Sequence, residues 1–201
     1  MSRRTTAIAA ALSVLALGSP LISSCANPLA NNSYNSGVDK YEQGDYQGAI
    51  ADYSKAIEIN PKFALAYFNR GLAKDDSGEY EGAIADYNKA IEIDPQYAAA
   101  YSNRGTVKRK LKDYQGAIAD YDKAIEIDSQ YADAYNNRGN ANSNLKNYEA
   151  AIADYDKAIE INPELADAYT NRGIARELAN NLEGACDDWR KAVDLGDERP
   201  A

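Results

Sequence analysis

Five asparagines, Asn35, Asn69, Asn103, Asn137 and Asn171, recur every 34 residues along this 201-residue chain. An amide carries a donor and an acceptor, so each side chain can pair with the N–H and C=O of an extended polypeptide. Helices packed side by side lie about 8–10 Å apart, and an extended chain advances about 3.3 Å per residue. One asparagine per packed helix would therefore meet roughly every third residue of such a chain. The other reading, equally open, is that each amide braces its own helix or the neighbouring copy. Arginines follow four of them, Arg70, Arg104, Arg138 and Arg172, and sixteen residues beyond each stands an aspartate: Asp86, Asp120, Asp154 and Asp188. Guanidinium and carboxylate pair bidentately. In an antiparallel hairpin these places face one another, so an ion pair is expected within each hairpin or across neighbours. Asp52 has Ser36 where the arginine would be, and is expected to turn to Arg70.

Catalytic chemistry finds little to work with. The chain has no histidine, which removes the commonest general base and zinc ligand. No phosphate-binding glycine loop, dinucleotide fingerprint or metal-spaced cysteine cluster is present. Adjacent carboxylates such as Asp75-Asp76 and Asp187-Asp188 read as solvated helix surface. The chain is read as a non-enzyme without cofactor or metal. Its net charge is −9, or −11 without Arg3 and Arg4, which opposes binding to nucleic acid or to anionic lipid headgroups.

The 34-residue period extends beyond these residues. The segment AIADYxKAIEI begins at 49, 83, 117 and 151, and YxNRG at Tyr67, Tyr101, Tyr135 and Tyr169. Five units follow: 30–63, 64–97, 98–131, 132–165 and 166–199. In residues 64–97, apolar and small residues fall on two helical faces, separated by Asp76-Ser77-Gly78-Glu79, a turn signal. Asp45, Asp113, Asn147 and Asn181 occupy the place of Glu79 and are expected to cap the second helix. That helix stops where Asn60-Pro61, Asp94-Pro95 or Asn162-Pro163 drives the backbone out of helical geometry. Gly37, Gly71, Gly105, Gly139 and Gly173, with Ala49, Ala83, Ala117, Ala151 and Ala185, are expected to let the two helices approach closely. Twelve of the sixteen tyrosines recur at places four, seventeen and twenty-four, where they read as helix-packing core rather than as stacking platforms. Cys186 stands where Ile50, Ile84, Ile118 and Ile152 stand, and reads as a small buried apolar residue.

The aromatic at place four, glycine at eight, alanine at twenty, aromatic at twenty-four, alanine at twenty-seven and proline at thirty-two together resemble the tetratricopeptide repeat. Departures are Ser33, Leu182, Ser129 and Asp197, and arginine instead of the family's leucine at place seven. The resemblance implies an all-α fold, a right-handed α-solenoid of five helix-turn-helix hairpins, whose first helices line a concave groove. It implies that protein or peptide partners bind there. The groove places carried over include the five asparagines with Phe68, Leu72, Arg109 and Asn140. The wall would then run from apolar (Leu65, Phe68, Leu72) through basic (Thr106, Arg109, Lys110) and neutral polar (Asn136, Asn140, Asn144) to acidic (Asp167, Glu177). Phe68, Leu72, Asp133 and Asn137 stand where some relatives place a C-terminal carboxylate clamp, which opposes that clamp here.

Residues 1–24 stand outside the period. Arg3 and Arg4 precede the apolar run Ala7–Gly18, which is shorter than the roughly 20 residues a membrane span needs. This pattern reads as an export signal. Leu21-Ile22-Ser23-Ser24-Cys25 resembles the bacterial lipoprotein box, which implies lipidation of Cys25, a short tether over 25–29 and anchoring to an envelope membrane. An ordinary cleavage site after Ala26 is the alternative, giving a soluble periplasmic or secreted protein. Residues 200–201 form a tail. The expectation is a membrane-anchored repeat scaffold that binds an extended peptide or partner protein. The alternative is a structural protein that self-associates through an uncovered last repeat.

Overall fold

The computed structural model describes residues 27–197; the expected export signal and the expected lipidation site at Cys25 lie outside the described residues. Ten helices fill this span: α1 Pro28–Glu42, α2 Tyr46–Ile59, α3 Ala64–Asp76, α4 Tyr80–Ile93, α5 Ala98–Lys110, α6 Tyr114–Ile127, α7 Ala132–Asn144, α8 Tyr148–Ile161, α9 Ala166–Leu178 and α10 Leu182–Asp194. They form five hairpins, each packed most closely within itself and then on the next along the chain. The architecture is therefore all-α, an array of five helix-turn-helix units. α1 begins at Pro28, with Asn27 Oδ1 accepting from the Leu29 N–H, so Pro28 and Leu29 belong to the helix rather than to a tether.

Each hairpin turns through a residue with positive φ. Gly44 and Gly78 adopt it freely, whereas Lys112, Lys146 and Asn180 hold it at 66°, 63° and 65°. Past the turn, Asp45, Asp113 and Asn181 accept from the N–H groups of Gly48, Gly116 and Gly184. Asn147, expected to do the same, makes no side-chain cap bond. Glu79 makes none either; its carboxylate accepts from Gln47 and Ser77 instead.

The ring at place twenty-four forms the centre of each of the first four hairpins. Tyr53, Tyr87, Tyr121 and Tyr155 are buried, and each lies on the facing glycine of its own first helix. A Cβ at Gly139 would stand 2.6 Å from Tyr155 Cε1, and one at Gly173 would stand 2.4 Å from Trp189 Nε1. The glycines thus make room for an aromatic ring more than for a backbone. Gly139→Ala is expected to destabilise the fold by about 1 kcal/mol, overpacking outweighing the gain in helix propensity. Gly82→Ala is expected to stabilise it, because its nearest obstacle is the Lys74 methylene stem at 3.1 Å, which needs to give only a few tenths of an ångström and can do so with its ion pair to Asp86 kept. Urea unfolding of the two variants should therefore show shifts of opposite sign.

The junctions repeat one pattern. Ile50, Ile118 and Ile152 pack with Ala73, Ala141 and Ala175 from the next hairpin's first helix. Cys186 has no following helix among the described residues, and it is exposed. That corrects the expectation of burial: the place is apolar where the next hairpin's first helix covers it, and no described helix covers Cys186. Leu178, Leu182 and Val193 are exposed on the same last hairpin.

First helices of successive hairpins also contact one another directly, at all four junctions, whereas second helices do not to the same degree. The array therefore closes on the side of α1, α3, α5, α7 and α9, and that side is the inner face.

Candidate peptide-binding face

Arg70, Arg104, Arg138 and Arg172 project from the first helices toward the second. Nη2 of each meets Asp86, Asp120, Asp154 and Asp188 at 2.6, 2.5, 2.6 and 2.5 Å. The other terminal nitrogen, Nη1, reaches back into the preceding hairpin, to Ser54, Asn88, Asp122 and Asp156 in turn. Each guanidinium also lies 5.3–5.5 Å from the ring of Tyr67, Tyr101, Tyr135 or Tyr169, within cation–π range. The arginines are thus bolts between hairpins, not groove residues.

A second cation joins most of these aspartates. Lys74, Lys108 and Arg176 meet Asp86, Asp120 and Asp188 at 2.8 Å each, while Asn142 donates to Asp154. Asp52 follows this pattern rather than turning to Arg70. It takes Lys40 and Lys55 and accepts from Ser36, and Lys40, then Lys55 and Ser36, hold its carboxyl well below the usual carboxylate range. Arg70 gives its remaining contact to Ser54. The second cation was visible in the sequence, because residues four apart share a helix face.

The asparagine ladder does not form one uniform row. Asn69 is buried and donates to the Tyr34 hydroxyl of the preceding first helix, at 2.6 Å. Asn171 donates to Asn136 Oδ1 at 3.0 Å, again across neighbouring first helices. Asn103 donates to Ala99 O within its own helix, Asn137 is half-buried and Asn35 is exposed. Bracing therefore takes Asn69 out of the groove and engages one end of Asn103 and Asn171. Lys110 with Asp75 and Tyr41 with Asp76 span the same kind of junction.

Phe68 is also not a groove residue. It is buried, with its ring 5.8 Å from that of Tyr87 and 4.8 Å from that of Tyr97. Leu72 packs half-buried against the same cluster. The apolar end of the expected wall is therefore largely core.

Arg109, Asn140 and Asn171 do come together. They line a concavity of about 290 Å³ with Ser143, Asn144, Tyr155 and Ile174, drawn from α5, α7, α8 and α9. Its lining holds one formal charge, that of Arg109, and no carboxylate. The Tyr155 hydroxyl donates to Asn140 Oδ1 at 2.8 Å, which turns that amide's Nδ2 into the group available for a ligand. Burial pushes the Tyr155 and Tyr121 phenols up, so both stay protonated near neutral pH. Among the described residues no group of histidine, cysteine or acidic side chains is placed to hold a metal ion.

Paired helices stacked in series, with a polar inner face, define a helical-repeat scaffold that binds other proteins. Residues 37–74, 76–108 and 106–146 match the family model described as TPR repeat, and residues 132–165 the one described as tetratricopeptide repeat. The chain belongs to the tetratricopeptide repeat family, whose members act as protein-binding scaffolds and not as enzymes. It is similar to a crystal structure of MamA, with 30% identity, 79% of this chain and 93% of that chain covered, and a TM-score of 0.72. It is also similar in fold to YrrB, described as a TPR protein with an unusual peptide-binding site, at 24% identity, 83% and 86% coverage and a TM-score of 0.66. PilW, described as a widely conserved type IV pilus biogenesis factor, shares the fold at 22% identity, 87% and 81% coverage and a TM-score of 0.79. No curated protein sequence matches the chain significantly.

Proposed function

We propose that the chain is an exported scaffold, anchored to an envelope membrane through lipidated Cys25, that holds an extended segment of a partner protein on its inner face. The concavity lined from α5, α7, α8 and α9 carries this reading. It offers Arg109, which joins none of the ion pairs found among the described residues, and several amides in a lining without carboxylates. The lipoprotein box at Leu21–Cys25 supports the anchor, and no helix among the described residues is long and apolar enough to cross a membrane. Fold likeness to PilW and YrrB supports partners that are assembled at the envelope and gripped as peptides.

Selection of random peptides against the purified chain tests the binding half. Ligands are expected whose affinity falls at least about tenfold in the Asn144→Trp variant, because a large ring on this exposed residue fills the concavity. Peptides that bind this variant as tightly as the parent would remove the inner face from the account. Mass spectrometry of the mature N-terminus tests the anchor: a diacylated Cys25 supports it, and a free Asn27 terminus refutes it.

Exposure of Leu178, Leu182 and Val193 on the last hairpin favours a second reading, self-association through that face. A mass by light scattering that rises with concentration supports it, and a constant monomer excludes it.

A further inference from the structure

The last hairpin ends in a face that no described helix covers. Leu182, Cys186 and Val193 of α10 are exposed. Tyr80, Ile84 and Ile91 hold the same places in the second hairpin, and they pack half-buried against a cluster that includes Ala100 and Val107 of the next first helix. The end face is thus a hairpin junction whose second half is absent among the described residues. Charge decides what can complete it. At each internal junction Ser54, Asn88, Asp122 or Asp156 accepts from the next hairpin's arginine. Arg190 holds that place in the last hairpin; a guanidinium accepts nothing and repels a further arginine. The chain's own first hairpin does not fit the face either. α1 carries Ser33, Ser36 and Asp39 where later first helices carry tyrosine, arginine and alanine or valine. Burying the exposed Asp39 against Cys186 would cost its desolvation without a counter-charge. Copies of the chain therefore do not continue the array head to tail.

The face is complementary to itself instead. Leu182, Cys186, Trp189 and Val193 are spaced four, three and four apart, the seam of two helices that pair lengthwise. When two α10 helices run antiparallel about a two-fold axis, residues equally far from its centre meet. Leu182 then faces the partner's Val193, and Cys186 faces the partner's Trp189. Glu183 and Arg190 are both exposed and lie seven residues apart, on one flank of this seam. There each comes within side-chain reach of its opposite on the other copy. Arg190 joins one ion pair among the described residues, with Asp187, and both side chains are largely exposed, at 74% and 62%. Such a pair contributes little, and the guanidinium has donors left for a second carboxylate. We infer that the chain pairs with a second copy of itself through α10, antiparallel and two-fold symmetric, with two Glu183–Arg190 pairs across the seam. The inference deepens the self-association reading and rests on it. A patch one 13-residue helix long, about 20 Å, is small for a specific interface. The pairing is therefore expected at about micromolar concentrations or above.

The experiment is sedimentation equilibrium of the purified chain, from about 1 μM to 1 mM. Glu183→Arg and Arg190→Glu are each expected to weaken association at least about tenfold, because the two-fold axis turns two attractive pairs into two repulsive ones. An equimolar mixture of the two variants is expected to restore it, since positions 183 and 190 again carry opposite charges across the seam. A single chain carrying both substitutions should regain it for the same reason. Both side chains are exposed, so far-ultraviolet dichroism should stay unchanged as the check on folding. Association that neither reversal weakens, or that the mixture fails to restore, overturns the two-fold pairing and leaves self-association standing. Association that responds to Asp39→Lys and not to these reversals identifies a head-to-tail contact and likewise overturns the pairing. A constant monomer over the whole range overturns both the pairing and self-association, and leaves the face to a different protein.

Discussion

Replacing Asp120 with alanine is expected to lower folding stability by about 3–5 kcal/mol, more than replacing either of its cationic partners. The carboxylate is buried and receives Arg104 Nε at 2.9 Å, Arg104 Nη2 at 2.5 Å and Lys108 Nζ at 2.8 Å. Its removal leaves two cations, only 17% and 24% exposed, facing one another without a counter-charge. Arg104→Ala instead leaves Asp120 paired with Lys108, and Lys108→Ala leaves it paired with Arg104. Either single loss is expected to cost about half as much, close to that of one charged hydrogen-bonded contact. Repeat arrays can open locally, so hydrogen exchange of the α5 and α6 amides should accompany urea unfolding of the three variants. A larger loss in Arg104→Ala than in Asp120→Ala would contradict the role given to the aspartate.

Alkali is expected to unfold the chain cooperatively, between about pH 10 and pH 12. Burial pushes the Tyr34 and Tyr131 phenols up to about 12, and raises Tyr53, Tyr97, Tyr121 and Tyr155 as well. In the unfolded chain the same phenols ionise near pH 10. Stability is therefore fully present below that pH. It is lost as pH rises towards the folded values, at about 1.4 kcal/mol per pH unit for each such tyrosine. Six acting together exhaust a domain's usual 5–15 kcal/mol within roughly two pH units. Tyrosinate absorbance and far-ultraviolet dichroism should change together in one steep transition. Smooth ionisation of all tyrosines near pH 10 with helix content intact would contradict the burial of these rings.

The hairpins were legible in the sequence because they depend on local signals: the turn at place fifteen, the caps at Asp45 and Asp113, and the glycine recurring in every first helix, although what that glycine admits is the ring sixteen residues later more than a backbone. The arginine–aspartate spacing was legible for the same reason. Contacts between successive first helices were not. Tyr34 with Asn69, Asp75 with Lys110 and Asn136 with Asn171 all join residues 35 apart, and which side chains meet there depends on how each hairpin rotates on the last. That rotation turned Phe68 into the core and Asn69 against Tyr34, while it left Arg109, Asn140 and Asn171 around one cavity. Cys186 is exposed against expectation because burial at that place depends on a covering helix from the next hairpin, which the local sequence does not reveal. Asn147 shows that a capping residue type at the capping place does not guarantee the bond.

The central claim, that an extended partner segment lies along the face made by the first helices, is tested most directly by site-specific photocrosslinking. A photoreactive residue replaces either Asn144, on the inner face of α7, or Lys123, exposed on α6, and a selected peptide is added. Crosslinks from position 144 and none from position 123 are the predicted result. Crosslinks from position 123 alone would contradict it.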